Sequence, residues 1–382
     1  MKTLPTLLQD KLNRRIQANA LRQLGNTDGL VDFSSNDYLG FSASKAIFDA
    51  AHQYLTDNDI TLNGSTGSRL ISGNHKLYAA AEEIISKFHN AESALIFNSG
   101  YDANVGFFSS VPQKGDVVLY DEYIHASIRD GLRLSNTMAY KFPHNNMQAL
   151  TTLIERYRDK ATEVYVVTES VFSMDGDSPD IAVLESICEA YSCRLVVDEA
   201  HALGVFGNKG EGYVQSFGNS QKIFARLITF GKGLGCHGAA ILGSSELRSY
   251  LVNFARSFIY STALPPHSLA TIITAYGYLE TTPSELNRLK DIIRFFTSEV
   301  DRLGLQSFIS SSSAIQCAVI PGNEKVKDIS SVLQQQGFSV KAILSPTVPH
   351  GQERLRFCLH CYNTQEQVTQ VLQHLEAMLA VK

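Results

Sequence analysis

Two stretches near the middle of the chain decide its fold: Leu195-Val-Val-Asp-Glu-Ala-His201 and Leu227-Ile-Thr-Phe-Gly-Lys-Gly233. Each begins with a short run of apolar residues and then turns to titratable residues or glycine. A continuous apolar run is typical of a strand that is buried on both faces of a parallel sheet. Residues that follow such strands lie at the carboxyl edge of the sheet, where open α/β sheets bind ligands.

Other short apolar runs repeat this pattern on both sides of these two stretches: Ala94–Phe97, Val117–Tyr120, Val164–Val167 and Ala239–Leu242. Helical patterns such as residues 181–191 alternate with the runs, which predicts a large, mostly parallel sheet with helices on both faces. A short glycine-rich loop joins the last two runs, 227–230 and 239–242. We therefore expect one antiparallel pair in this sheet.

The two ends of the chain differ from this central region. An apolar residue at every fourth position from Leu12 to Leu24 predicts a surface helix. Beyond residue 266, a long helical pattern leads to three strand-like segments and a closing helix, and the strand-like segments are Ala314–Ile320, Phe338–Ile343 and Arg354–Leu359. We predict an N-terminal helix and segment (1–45), a large α/β domain (46–280) and a small α+β domain (281–382).

The composition is that of a soluble globular protein: 44% of the 382 residues are hydrophobic and 19% are charged. No apolar run approaches the ~18 residues of a membrane span, and a net charge of -5 argues against a surface that coats nucleic acid. The N-terminus shows no secretory signal, and six scattered cysteines suit a reducing compartment. We expect a cytoplasmic protein with no nucleic-acid partner.

Candidate chemistry follows five of the buried runs. Ser99-Gly100 opens a helix whose N-terminus suits a phosphate, and the other runs are followed by titratable residues: Asp121 and His125, Glu169, Asp198 and His201, and Lys232. Each alone is explained by a turn, a cap or a structural histidine, but their convergence favours a site. Lys232 stands between two glycines, as expected of a Schiff-base lysine. A lysine, an acid for a ring nitrogen and a phosphate seat together predict pyridoxal 5′-phosphate.

Several motifs resemble those of the α-oxoamine synthases: Ser34–Gly40, Thr66-Gly-Ser-Arg-Leu-Ile-Ser-Gly73, Val171–Asp177, Val197–His201, Thr229-Phe-Gly-Lys-Gly233 and Tyr260–Pro266. The match runs in order over nearly the whole chain. It implies the fold of aspartate aminotransferase and a homodimer whose active site lies at the subunit interface.

The resemblance also implies roles for individual residues toward the cofactor. Lys232 matches the lysine that binds it covalently, Asp198 the partner of the pyridine nitrogen, and His201 the partner of the phenolic oxygen. His125 matches the histidine that stacks on the ring. The remaining cofactor contacts that it implies are Gly100, Tyr101, Ser173, Thr229 and, toward the partner subunit's phosphate, Ser261 and Thr262.

Substrate contacts are implied as well. Arg356 matches the arginine that binds the amino-acid carboxylate bidentately, and Arg22, Asn36 and Thr347 match other substrate-side positions. The reaction implied is a decarboxylative condensation of an amino acid with an acyl thioester of coenzyme A or an acyl-carrier protein. The motif at 66–73 is nearest to the biotin-synthesis branch, which uses alanine and a pimeloyl thioester.

Alternatives stay open at this point. Leu344 stands where biotin-branch relatives often carry an arginine, which leaves room for glycine or serine with acetyl, succinyl or fatty acyl thioesters. An aminotransferase and a non-catalytic cofactor-binding protein are two further alternatives. Cys358-Leu-His-Cys361 has the spacing of a metal site but no second cysteine pair, so we expect no metal there.

Overall fold

A computed structural model describes residues 4–22, 24–25, 28–218 and 222–380. The chain forms two compact units. One, here the large unit, comprises Asn36–Ser173 and Ser178–Asn287. The other, here the small unit, comprises Met1–Ser35, Met174–Asp177 and Arg288–Lys382. The division into an N-terminal helix and segment (1–45), a large domain (46–280) and a small domain (281–382) stays a prediction.

A seven-stranded sheet forms the centre of the large unit. Its strands are β2 (Ser93–Phe97), β3 (Val117–Asp121), β4 (Met138–Phe142), β5 (Val164–Glu169), β6 (Arg194–Asp198), β7 (Ala225–Thr229) and β8 (Ala239–Gly243). They lie in the order β2-β8-β7-β6-β5-β3-β4. Only β8 is antiparallel to its neighbours, β7 and β2. The predicted mostly parallel sheet and its antiparallel β7–β8 pair are therefore confirmed.

Helices cover both faces of this sheet because side chains alternate between the faces along each strand. Val118 and Val196 pack into one apolar cluster, whereas Val117 and Val197 pack into a second one. The helices of the large unit include α2 (Lys45–Asp57), α3 (Lys76–Phe88), α4 (Gly100–Ser110), α5 (Ala126–Leu134), α6 (Met147–Tyr157), α7 (Ile181–Ala190), α8 (Tyr213–Ser216), α9 (Ser245–Phe254), α10 (Arg256–Ile259) and α11 (Pro266–Thr281). The continuous apolar runs thus mark strands that are buried on both sides.

The small unit combines a three-stranded antiparallel sheet with helices. The sheet has the order β11 (Lys341–Ile343), β12 (Arg354–Cys358), β9 (Ile315–Val319). A separate parallel pair joins β1 (Val31–Asp32) to β10 (Phe338–Ser339), so an N-terminal segment pairs with a C-terminal one. The helices are α1 (Thr6–Gln17), α13 (Asn323–Gln335), α14 (Gln365–Ala380) and, from Arg288 onward, α12 (Ser284–Arg302).

Two expectations for these flanking regions are wrong in detail. The first helix ends at Gln17, so Ala20 and Leu24 lie beyond it; Asn19, with a φ of 48°, takes a left-handed conformation that stops the helix. The segment 338–343 is two short strands in two different sheets. In the part of the chain that the structure describes, no helix is both long and apolar enough to span a membrane.

Candidate active site

A cavity of about 260 Å³ opens at the carboxyl edge of the large unit's sheet. Eight of the predicted site residues line it: Asn36, Gly100, Tyr101, His125, Asp198, His201, Thr229 and Lys232. Further lining residues include Asn104, Ser127 and Glu169. The parallel strands bring most of these side chains together because they lie at or just after strand ends on the same edge, whereas Asn36 comes from the segment before the sheet.

The N-terminus of α4 forms one wall of the cavity. Ser99 caps this helix, and its hydroxyl accepts a hydrogen bond from the Asp102 amide at 3.0 Å. At Gly100 a Cβ atom would stand 2.6 Å from the Thr229 methyl carbon, so this position has no room for a side chain. The first-turn amides of a helix lack intrahelical acceptors and, with the helix dipole, attract an anion.

Two donors orient the Asp198 carboxylate. The Asn104 side-chain amide donates to Oδ2 at 2.8 Å, and the Ala200 backbone N–H donates to Oδ1 at 2.9 Å. Asn104 also donates to the Ser127 hydroxyl at 3.1 Å. Asp198 is 6% exposed, so these bonds compensate for the water that it has lost. Sequence reasoning missed Asn104, although it lies one helical turn beyond Gly100 and therefore on the same face of α4.

His201 is held through its Nδ1 atom. The Tyr38 hydroxyl lies 2.6 Å from this nitrogen, and both side chains are buried. Such a contact fixes the ring orientation and the tautomer of a histidine. Tyr38 belongs to the quoted motif 34–40, but nothing in the sequence pairs it with a residue 163 positions away.

His125 and Thr229 are also anchored. His125 caps α5, and its Nδ1 atom lies 2.7 Å from the Ser127 hydroxyl. Its side chain is exposed toward the cavity, where an aromatic ring can stack against it. Thr229 donates its hydroxyl hydrogen to the Ala200 carbonyl at 3.3 Å.

Lys232 lies in the loop between β7 and β8 and is half-buried. At the neighbouring Gly233, a Cβ atom would stand 2.2 Å from the Leu203 carbonyl oxygen, so glycine is required there. The lysine backbone is fixed by the Gly235 N–H, which donates to the Lys232 carbonyl at 2.8 Å. Close packing therefore fixes the backbone of the β7–β8 loop from which the Lys232 side chain extends.

The other predicted residues lie elsewhere. Ser173, Ser261 and Thr262 are absent from the described residues that line the cavity. Arg22, Thr347 and Arg356 belong to the small unit. There Arg22 donates to the Thr347 hydroxyl at 3.4 Å, and the buried Arg356 donates to the Cys358 thiol sulfur at 2.8 Å.

Comparison with known proteins agrees with this geometry. Residues 28–375 match the family model of class I and II aminotransferases. The 8-amino-7-oxononanoate synthase of Emericella nidulans is 40% identical over 99% of this chain and 96% of its own length. This chain belongs to the class I and II aminotransferase family and, within it, to the α-oxoamine synthases. It is an enzyme that depends on pyridoxal 5′-phosphate.

Solved structures are similar over nearly the whole chain. Serine palmitoyltransferase of Sphingomonas wittichii superposes with a TM-score of 0.88 at 25% identity, over 98% of this chain and 96% of that one. The 8-amino-7-oxononanoate synthase of Francisella tularensis gives 0.78 at 30% identity, over 92% and 98% of the two chains. The predicted aspartate-aminotransferase-like fold is confirmed.

Proposed function

We propose that this chain condenses L-alanine with a pimeloyl thioester to give 8-amino-7-oxononanoate, an α-amino ketone of biotin synthesis. A bond forms between the alanine Cα and the acyl carbonyl carbon, the thiol of coenzyme A or of an acyl-carrier protein leaves, and the alanine carboxylate departs as carbon dioxide. The observation that carries this proposal is the single cavity in which the Lys232 amine and the Asp198 carboxylate face the N-terminus of α4. The Emericella nidulans relative, similar along its full length, supports it.

The residues of the cavity fit pyridoxal 5′-phosphate. Lys232 supplies the amine for its aldehyde, Asp198 an anion for its ring nitrogen, and the α4 N-terminus a seat for its phosphate. His125 would stack on its ring, and His201 and Thr229 would contact its polar substituents. The family resemblance adds Ser173, which lies outside the described lining of the cavity. When bound, this cofactor withdraws electrons from the Cα atom of an amino acid.

The protein's own residues then move one proton and hold one carboxylate. The Lys232 amine removes the Cα proton, a general-base role, and returns a proton to the same carbon after carbon dioxide has left. Arg356 binds the amino-acid carboxylate, and Arg22, Asn36 and Thr347 contact the substrates. The contact between Arg22 and Thr347 supports a shared role for these two residues.

The functional form is a homodimer with the active site at its interface. Tyr101, which lines the cavity, and Tyr260, which precedes Ser261, are 49% and 72% exposed, and exposed aromatic side chains are enriched at subunit interfaces. By the family resemblance of the motif 260–266, Ser261 and Thr262 contact the cofactor phosphate in the partner subunit's site. Mixing Lys232→Ala and Thr262→Ala subunits tests this: heterodimers with one complete site regain activity, whereas a monomeric active enzyme contradicts the proposal.

One observation about the acyl group favours a second candidate activity. Leu344 provides no charge for the distal carboxylate of a pimeloyl chain, and a charge-assisted contact is worth about 1.5–3 kcal/mol. A sibling activity with glycine or serine and an acetyl or palmitoyl thioester is therefore the alternative. Comparing kcat/KM for pimeloyl, acetyl and palmitoyl thioesters separates the two.

The absorption spectrum of the purified enzyme tests the reaction class. We expect a visible cofactor band that changes with alanine and changes again when the acyl thioester is added. Transfer of the amino group to a 2-oxo acid would indicate an aminotransferase instead. Absence of a band after adding pyridoxal phosphate would contradict the proposal.

A cytoplasmic location is part of the same proposal. Cys188, Cys193, Cys236 and Cys317 are free thiols, and Cys188 and Cys317 are buried. Free thiols are typical of proteins in reducing compartments. Fractionation of the source cells tests this inference.

A further inference from the structure

Glu169 is a buried carboxyl in the cavity wall to which neither the motifs nor the proposed reaction gives a role. It ends β5 and is 3% exposed. Its neighbour across the parallel β5–β6 pair is Asp198, the proposed partner of the cofactor ring. Two acids thus stand side by side at the carboxyl edge of the sheet.

The hydrogen bonds of Glu169 are incomplete. The His125 backbone N–H donates to its carboxyl group, which ties β5 to the start of α5. Its other oxygen, Oε1, has no hydrogen-bond partner among the described residues although it is buried. A buried carboxylate with an unpartnered oxygen is costly, and a buried carboxylic acid costs much less.

The charges around Glu169 favour the neutral acid. Asp198 on β6 and Asp121 on β3 are like charges, and Lys232 in the β7–β8 loop is the opposing cation. Burial raises the pKa of Glu169 well above its ordinary value, and Asp198 raises it further, while Lys232 acts against both. One cation does not neutralise two adjacent anions in a site with little water.

We propose that Glu169 is a positioning residue that acts as a neutral carboxylic acid, holding Asp198 and the His125 segment in place while leaving Asp198 as the single anion beneath the cofactor ring. The inference rests on the proposed function only in taking Asp198 as the ring partner. The carboxyl proton stays on Glu169 throughout.

Glu199 provides a matched control one residue after Asp198. It is also fully buried, but its Oε2 atom lies 3.5 Å from the Arg226 guanidinium and its Oε1 atom accepts from the Val214 N–H at 2.8 Å. Burial raises the pKa of Glu199, and Arg226 lowers it. The two glutamates therefore differ in their charged neighbours rather than in burial: a guanidinium faces Glu199, whereas two further acids, Asp198 and Asp121, lie around Glu169.

Infrared spectroscopy of the holoenzyme at neutral pH tests the protonation state directly. We expect a band of a buried protonated carboxyl group that shifts in deuterium oxide, disappears in Glu169→Gln and persists in Glu199→Gln. No such band in the wild-type holoenzyme, or a band that survives Glu169→Gln, overturns the proposal.

Cofactor affinity tests the positioning role with a second readout. Glutamine copies the shape of a neutral acid, so Glu169→Gln should keep the dissociation constant for pyridoxal phosphate within about threefold. Glu169→Ala should weaken it about tenfold or more because the His125 N–H then loses its acceptor. A Glu169→Gln variant that fails to fold, or that loses the cofactor as strongly as Glu169→Ala, contradicts a neutral role. Neither readout uses an acyl thioester, so failure of the proposed acyl transfer would be seen separately.

Discussion

The two edges of the seven-stranded sheet carry cavities of different kinds. The carboxyl-edge cavity is about 260 Å³, whereas the amino-edge cavity is about 710 Å³ and is lined by residues from 90–92, 193–195, 222–226 and 242–244. At the larger one, Lys222 pairs with Glu189 at 3.0 Å and Arg194 with Glu163 at 3.1 Å. At the smaller one, Lys232, Asp198 and Glu169 converge.

The groups that suit chemistry therefore lie at the carboxyl ends of the strands and not in the larger cavity. Charged groups at the amino edge are paired within the protein, so they act on stability. Groups at the carboxyl edge are held by donors such as Asn104 and Ala200, which leaves the cavity side for a ligand. Variants at the two edges should therefore affect different properties.

The largest effect on activity is expected for Lys232, and Lys222 at the opposite edge is its matched control. Lys232→Ala should lower condensing activity by at least about a thousandfold, because it removes both the covalent attachment and the general base. Lys222→Ala should stay within about twofold of the wild type, since an exposed ion pair contributes little. Steady-state kinetics of both variants measures this, and comparable losses would erase the contrast between the edges.

Next in size is the buried ion pair of Arg226, which lines the amino-edge cavity, with Glu199, which follows the carboxyl end of β6. Glu199→Gln should lower the free energy of unfolding by about 3–5 kcal/mol, because Arg226 is left as an unpaired buried charge. Urea unfolding of the apoenzyme measures the loss. An unchanged midpoint would show that the stability of the fold does not depend on this ion pair.

A smaller effect is expected at Asn104. Asn104→Ala removes a donor to the Asp198 carboxylate, and such a bond is worth about 1.5–3 kcal/mol. Affinity for pyridoxal phosphate should fall about tenfold or more. Asn253→Ala, which removes an exposed bond to the Ser249 carbonyl, is the control and should leave this affinity alone.

The smallest effect is the contribution of His89 to the pH dependence of folding stability. Burial, together with Arg226, holds the pKa of His89 well below its ordinary value of 6.5, so the folded protein keeps this ring neutral. Below pH 6.5 the unfolded chain binds a proton that the folded state does not. Stability should therefore fall as the pH drops below 6.5, by up to about 1.4 kcal/mol per pH unit from this group.

Comparing His89→Gln with the wild type isolates that contribution. Glutamine keeps polar atoms for the Tyr276 hydroxyl and the Glu211 carbonyl but does not titrate. The variant should lose less stability between pH 6.5 and 5 than the wild type does. Parallel curves would assign the acid sensitivity to other groups.

Much of the large unit could be predicted from sequence because its strands are buried on both faces. The exception is β4, an edge strand with exposed residues such as Met138, which shows no continuous apolar run. The gathering of Lys232, Asp198 and Glu169 at one cavity could likewise be predicted, because each lies at or just after a strand end, while their roles stay predictions. Asn104 and Tyr38 were not, because their partners lie 94 and 163 residues away and only the fold brings them together.

Chemical trapping of the cofactor tests the central claim most directly. The holoenzyme is reduced with borohydride and digested, and the lysine that carries the phosphopyridoxyl group is identified by mass spectrometry. The carboxyl-edge account predicts this group on Lys232 alone. A phosphopyridoxyl group on Lys222, or on any lysine away from the carboxyl-edge cavity, would contradict it.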